Sequence, residues 1–253
     1  MTSVIQTIRR SVECYKAHGG VETLCRVLYR LRIISVNHAF DIFIKELEAS
    51  QNGKDAMKGG ISFRELVRGE IETLTYAEGL SYTKDVPVIE DVRSHMDQGM
   101  RFFSAFDKKV VIALNGVHAE YANLVYLKKP FIRLPRGIVY LNAALTAPQY
   151  RHRGIGTALL NFLISVLQEE GYVRMISATF LENRGAAKWH EASGCKRWGR
   201  MRCLCFHGHD LWWTQLTEVG RRYPHLLKNE DHSFSPENRE KDSVLENAGV
   251  MKC

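Results

Sequence analysis

A mixed α/β fold, with helices flanking a central sheet, is what three consecutive stretches of this sequence predict. Gly137 to Leu145 (G-I-V-Y-L-N-A-A-L) is β-prone and is closed off by Pro148. Leu159 to Glu170 places Leu159, Leu160, Phe162, Leu163, Val166 and Leu167 at helical spacing. Arg174 to Phe180 (R-M-I-S-A-T-F) is strand-like again. Strands alternating with helices in this way imply a mixed sheet.

The remaining elements follow in chain order. Residues 1–58 form a basic, amphipathic extension. Within it, Val21 to Arg32 puts Leu24, Val27, Leu28 and Leu31 on one helical face, ringed by Arg26, Arg30 and Arg32. His38 to Leu47 alternates like a strand, and Ser50 to Gly60 reads as a linker. The main domain is expected over 59–228. It begins with a strand at Ile61–Arg64, then early helices at Glu70–Leu74 and Ile89–Met96. Strands follow at Arg101–Phe106 and Lys109–Ala113, joined by a turn at Asp107-Lys108, and the sheet continues through Val117–Lys128. A loop through Pro130 and Pro135 leads to the strand ending at Leu145, the long helix, the strand over 173–180, a helix over 185–192 and a last strand over 196–206. Residues 229–253 are highly charged with few large apolar groups, too little to offset ordering entropy, and are expected as a flexible tail.

Composition narrows the function. The chain has 253 residues with ordinary apolar and charged fractions, enough for a sizeable core. No run approaches the roughly eighteen apolar residues of a membrane span, and Met1–Arg10 lacks the apolar core of a secretory signal. The six cysteines are scattered without a disulfide framework, so reduced thiols and a cytoplasmic location are expected. A net charge of +7, spread along the chain, suits an anionic cofactor. With no Lys/Arg run and no basic–aromatic interleaving, nucleic acid is not an expected partner.

The chemistry concentrates at Arg151-His152-Arg153-Gly154-Ile155-Gly156-Thr157, between the strand and its helix. Gly154 and Gly156 let the backbone turn sharply and approach a ligand closely. The first amides of the helix have no partner inside it and lie at its positive end, which favours an anion. No Lys follows Gly156, so a nucleotide P-loop is excluded; position 159 is Leu, so the third glycine of a dinucleotide fingerprint is missing. About thirty residues on stands a second motif, Asn183-Arg184-Gly185-Ala186-Ala187-Lys188-Trp189-His190-Glu191-Ala192-Ser193-Gly194-Cys195.

Together the two motifs resemble the GNAT acyltransferase superfamily, over about residues 61–206. Arg151, Gly154 and Gly156 match its R/Q-x-x-G-x-G/A pattern; Asn183, Ala186, Trp189, Glu191 and Gly194 match its second motif. His190 stands where the family has Tyr, and Cys195 where it has Phe. The resemblance implies a mainly antiparallel, twisted sheet and acetyl-CoA or another short acyl-CoA as cosubstrate. It places the coenzyme pyrophosphate on Arg151, His152, Arg153, Gly154, Ile155, Gly156 and Thr157, with Asn183 and Ala186 at the next helix. The backbone of Leu145, Thr146 and Ala147 is expected to hold the pantetheine arm and stabilise the thioester oxygen.

Transfer of an acyl group from a thioester to an amine needs an unprotonated amine, a stabilised carbonyl oxygen and a departing thiolate. The resemblance makes His190 the candidate acid for the departing sulfur, since histidine titrates near neutrality. A base is harder to place: the strand over 138–145 carries no acid, and its polar side chains are Tyr140 and Asn142. Glu120 is the candidate, with His118 on the same strand face. The fold implies an N-acyltransferase acting by direct attack on an amine of a small molecule, sugar or peptide. The alternative is a module that binds acyl-CoA without turnover, or a peripheral membrane adaptor working through the basic helix at 21–32. The acceptor itself is not legible in the loops at 75–100 and 117–137.

Cys203, Cys205, His207 and His209 alternate as metal ligands might, but on one straight strand they spread over about 20 Å. Zinc needs them tetrahedral around one ion. No metal site is expected.

Overall fold

The computed structural model describes residues 20–30, 36–47, 57–81, 87–119, 121–123, 131–206 and 209–223. They fall into two compact units, one made of the described residues between 20 and 43 and between 178 and 223, the other of those between 44 and 177.

The second unit holds the mixed sheet expected from the sequence. Its strands are β2 (Met57–Lys58), β3 (Ile61–Glu65), β5 (Arg101–Asp107), β6 (Val110–His118), β9 (Ile138–Thr146) and the first part of β10 (Arg174–Phe180). The order is β10-β9-β6-β5-β3-β2, antiparallel except for the parallel β9–β10 pair. A short β4 (Thr75–Tyr76) pairs with β6, and β7 (Tyr121–Asn123) forms a small ladder with β8 (Phe131–Arg133). The linker expected up to Gly60 ends early: β2 and β3 form a hairpin whose two turn residues, Gly59 and Gly60, both have positive φ. That is the turn the right-handed twist of paired strands favours. The strand expected to run through residue 128 stops at His118 and resumes for three residues as β7; residues 124–130 lie outside the described residues.

Numbering helices in chain order, α1 is Gly20–Arg30, α2 is Val88–Asp97 and α3 is Ile155–Glu169. The expected helix at 70–74 is a 3-10 turn over Arg68–Thr73. Helix α3 buries Ile155, Leu159, Leu160, Leu163, Ile164 and Leu167, and Phe162 packs its ring against Phe63 and Phe103. With Phe102, Ile112 and Leu114 fully buried on the strands, this is the core that fixes the site. Each such side chain contributes roughly 1.5–3 kcal/mol by leaving water. Arg101 ties the layers at their margin, donating to Glu65 on β3 and to Glu170 just past α3.

The first unit contains α1, most of β1 (Val36–Glu46), the end of β10, α4 (Arg184–Ala192), β11 (Lys196–Phe206), β12 (His209–Leu216) and α5 (Glu218–Arg222). Its strand order is β12-β11-β1. Part of the expected N-terminal extension is therefore a sheet strand. Asp41 on β1, 3% exposed, accepts from Arg200 of β11 at 2.8 Å. The expected apolar face of the first helix is rotated: Cys25 is buried with Leu28 against it, while Leu24 is exposed; Leu31 lies outside the described residues. Strand β12 was not expected, and neither was α5, where a Cβ on Gly220 would stand 2.1 Å from the carbonyl oxygen of Trp198. No helix among the described residues is long and apolar enough to cross a membrane.

Candidate active site

The cradle residues sit together on one strand–turn–helix segment of the second unit. Gly154 is the N-cap of α3 with φ 73°, a left-handed conformation that costs any residue with a Cβ roughly 1–2 kcal/mol. Its carbonyl accepts from Ala158, the first intrahelical bond, so the amides of Ile155, Gly156 and Thr157 have no partner within the helix. No acidic side chain stands in the first turn to offset their positive end. His152 also has positive φ, 62°. Arg151, His152 and Arg153 are all exposed around the turn.

Two of these side chains are held in place. Arg151 donates through Nε to the Thr146 carbonyl at 3.0 Å. Arg153 lies over the Tyr150 ring, 5.4 Å from its centroid, and the Tyr150 hydroxyl donates to Asp107 at 3.0 Å. That hydrogen bond and the negative charge behind it raise the phenol pKa. The entry to the turn is closed by Gly79, where a Cβ would stand 3.0 Å from the Pro148 ring.

Strand β9 leads into this cradle, and its pairing with β10 covers only its first residues. Its ladder with β10 ends at the Leu141–Ser177 pair. On its other side it follows β6 to the end, but Gly116 pairs with Ala143 and Val117 with Leu141, leaving Asn142 as the extra residue of a β-bulge. The Ala147 amide donates to the Ile112 carbonyl at 2.9 Å. Backbone groups alternate in direction along an antiparallel strand. Leu145 therefore faces β6 as Ala147 does, and Ala144 and Thr146 face the other way. Of the three residues expected to offer amides, Ala147 is already engaged and Thr146 is the one turned outward. Ala144, not singled out in the sequence, joins it and is exposed. The only sequence signal for the bulge was a polar Asn142 within an apolar strand.

The second motif is a capped helix in the first unit. Asn183 is the N-cap of α4, its side-chain oxygen accepting from the Ala186 amide at 3.0 Å. At the other end Gly194, φ 79°, is followed by Cys195, whose amide donates to the His190 carbonyl while that of Gly194 donates to Glu191. This is a Schellman ending, and it accounts for a glycine at that position. The pair expected at the coenzyme, Asn183 and Ala186, thus bond to each other.

His190 is 5% exposed, stacked on Phe43 with centroids 4.9 Å apart and edge-on to Trp189. Burial pushes its pKa down to about 4. At neutral pH the ring is uncharged, and an imidazolium proton is present only in acid. Glu120, the candidate base, lies outside the described residues. His118 closes β6 with 2% exposure. Burial, with a smaller contribution from His95, lowers its pKa to about 4. Among the described residues no group of His, Cys, Asp and Glu side chains could hold a metal ion; His207 lies outside them.

A glycine-initiated helix N-terminus fed by a half-open strand defines an α/β protein able to hold an extended ligand with an anionic end. The sequence matches the Acetyltransferase (GNAT) family over residues 70–195, and over those residues the chain is a GNAT acetyltransferase domain. Among solved structures it is similar to a GCN5-related N-acetyltransferase from Sphaerobacter thermophilus, with 16% identity, TM-score 0.47, and 77% of this chain and 60% of that one covered. It is also similar to a putative acetyltransferase of the GNAT family from Novosphingobium aromaticivorans, with 13% identity, TM-score 0.44, and 68% and 65% covered. A Drosophila protein shows 10% identity and TM-score 0.44, with 77% and 56% covered. The chain thus spans less than two thirds of the length of each of these three. No curated protein matches the sequence.

Proposed function

We propose that this protein is an N-acyltransferase that moves an acetyl or other short acyl group from acyl-CoA to an amine of a small molecule, sugar or peptide. The observation that carries the reading is the continuity of β9 and the cradle within one unit. The outward backbone of Ala144 and Thr146 runs directly into a helix start with three amides that have no partner within the helix and no acidic side chain in its first turn. Such a path suits the two ends of the coenzyme: an amide-bearing arm along a strand edge and a pyrophosphate at a helix N-terminus. Arg151, His152 and Arg153 add donors at the rim. The coenzyme supplies the activated acyl group as a thioester. The protein holds it, screens it from water and presents the acceptor for direct attack, with no acylated side chain required.

In this reading His190 is the proposed acid, and burial leaves its ring uncharged at neutral pH. A thiol of pKa roughly 8.5 leaves well enough to need little more. A second reading is favoured by that same neutrality: a domain that binds acyl-CoA without turnover. The reading carries with it a cytoplasmic setting, in which thiols such as Cys25 and Cys195 stay reduced.

Calorimetric titration with acetyl-CoA and with CoA, repeated on Gly154→Glu, tests the proposal. The expected result is micromolar binding lost in the variant, because a side chain and a negative charge would enter the cradle. No binding by the unchanged protein would overturn the coenzyme assignment. Binding without any acyl transfer would select the second reading.

A further inference from the structure

Strand β6 ends in a buried polar side chain that the transfer chemistry described above leaves unused. The Nε2 atom of His118 is buried and has no hydrogen-bond partner. The residue stands directly across from Tyr140 on β9, and its neighbour Val117 is where the β6–β9 register shifts around Asn142. His118 thus borders the bulge at which β9 parts from its ladder with β10. From the helix layer His95 of α2 faces it, the one ionisable side chain among the described residues whose charge bears on it. The Nδ1 of His95 lies 2.6 Å from the Asp91 carbonyl, so that nitrogen carries the His95 proton.

Buried polar atoms are nearly always paired, and one that is not calls for a partner. Near neutrality the His118 ring is uncharged, and with its proton on Nδ1 the Nε2 atom keeps a lone pair. We infer that His118 is a contact for the acyl acceptor, its Nε2 taking a hydrogen bond from an N–H of the incoming amine beside the β9 bulge. This rests on the acyl-transfer reading above. A hydrogen bond of this kind orients the amine, and the buried setting disfavours an added charge on it. An ordered water on the same atom is the competing occupant.

Hydroxylamine is a suitable probe, being a small nucleophile that demands no tailored acceptor site; acetohydroxamate formed from acetyl-CoA is the readout. His118→Phe keeps a ring of similar shape and removes both nitrogens, while His118→Gln restores an acceptor. The Phe variant is expected to melt at or above the wild-type temperature and to bind acetyl-CoA unchanged. Its kcat/KM for hydroxylamine should fall about tenfold, the scale of one lost hydrogen bond. The Gln variant should recover part of that loss. A folded Phe variant with wild-type kcat/KM would overturn the inference and leave a water site. Should Phe not fold, His118→Leu, which likewise lacks an acceptor, decides: a raised KM for hydroxylamine supports the contact, and wild-type constants in a folded Leu variant overturn it. If the wild type binds acetyl-CoA yet forms no hydroxamate above the uncatalysed rate, the acyl-transfer reading fails first and takes this inference with it.

Discussion

The guanidinium of Arg151 donates to the carbonyl of Thr146, five residues earlier, at 3.0 Å. The residue that opens the anion-binding motif therefore also clasps the end of the strand that feeds it. Thr146 faces away from β6, so its carbonyl would otherwise be open to solvent, and its amide is one of the two offered to a ligand. Replacing Arg151 with Gln removes a charged donor and loosens the strand end. We expect CoA affinity to drop about tenfold, in line with a hydrogen bond to a charged group, while the melting temperature barely moves because the contact is exposed. Calorimetry and a thermal melt on the same preparation check both halves.

A different kind of contact holds the N-terminal strand. Asp41 is almost completely buried, and its carboxylate takes Arg200 at 2.8 Å with Arg197 3.6 Å away. Asp41→Ala would leave two guanidinium groups facing a space that no longer holds a negative charge. The arginines left behind are part-exposed and Arg197 keeps Glu191, so the cost is that of a hydrogen-bonded charge, about 1.5–3 kcal/mol. A drop of that size in urea-unfolding free energy is expected. A loss below about 0.5 kcal/mol, the scale of a surface pair, would mean that β1 is held by apolar packing alone, through contacts such as Phe40 on Phe180.

That strand shows where the sequence was legible and where it was not. The alternation of Phe40, Ile42 and Ile44 identified β1 as a strand. Nothing local to it announced that its partner would be β11, some 150 residues later, because pairing is set by tertiary contacts. The strands and helix around the cradle were readable for the opposite reason. Periodicity, Pro148 and the two glycines all act within a few residues. The Asn183–Gly194 motif was equally visible, but its caps explain several of its positions without any ligand. The bulge at Asn142 was hidden, since an extra residue in a ladder exists only relative to the partner strand. Strand β12 was passed over although Trp212, Trp213 and Thr214 are strand-prone residues.

Two buried histidines give the stability of the protein a defined pH dependence. His118 and His190 both have pKa values lowered from the ordinary 6.5 to about 4, chiefly by burial. Between those values the unfolded chain binds protons that the folded protein does not, so stability rises with pH across this window and is lost as pH falls through it. Well above 6.5 both rings are neutral in either state and the dependence vanishes. Each histidine is expected to account for on the order of 2 kcal/mol between pH 6.5 and 4. Melting temperatures should fall steeply over that range, and His190→Phe or His118→Phe should each flatten the slope. A flat wild-type profile between pH 4 and 6.5, or imidazole resonances titrating near 6.5 in the folded protein, would show that these rings are better hydrated than their burial implies.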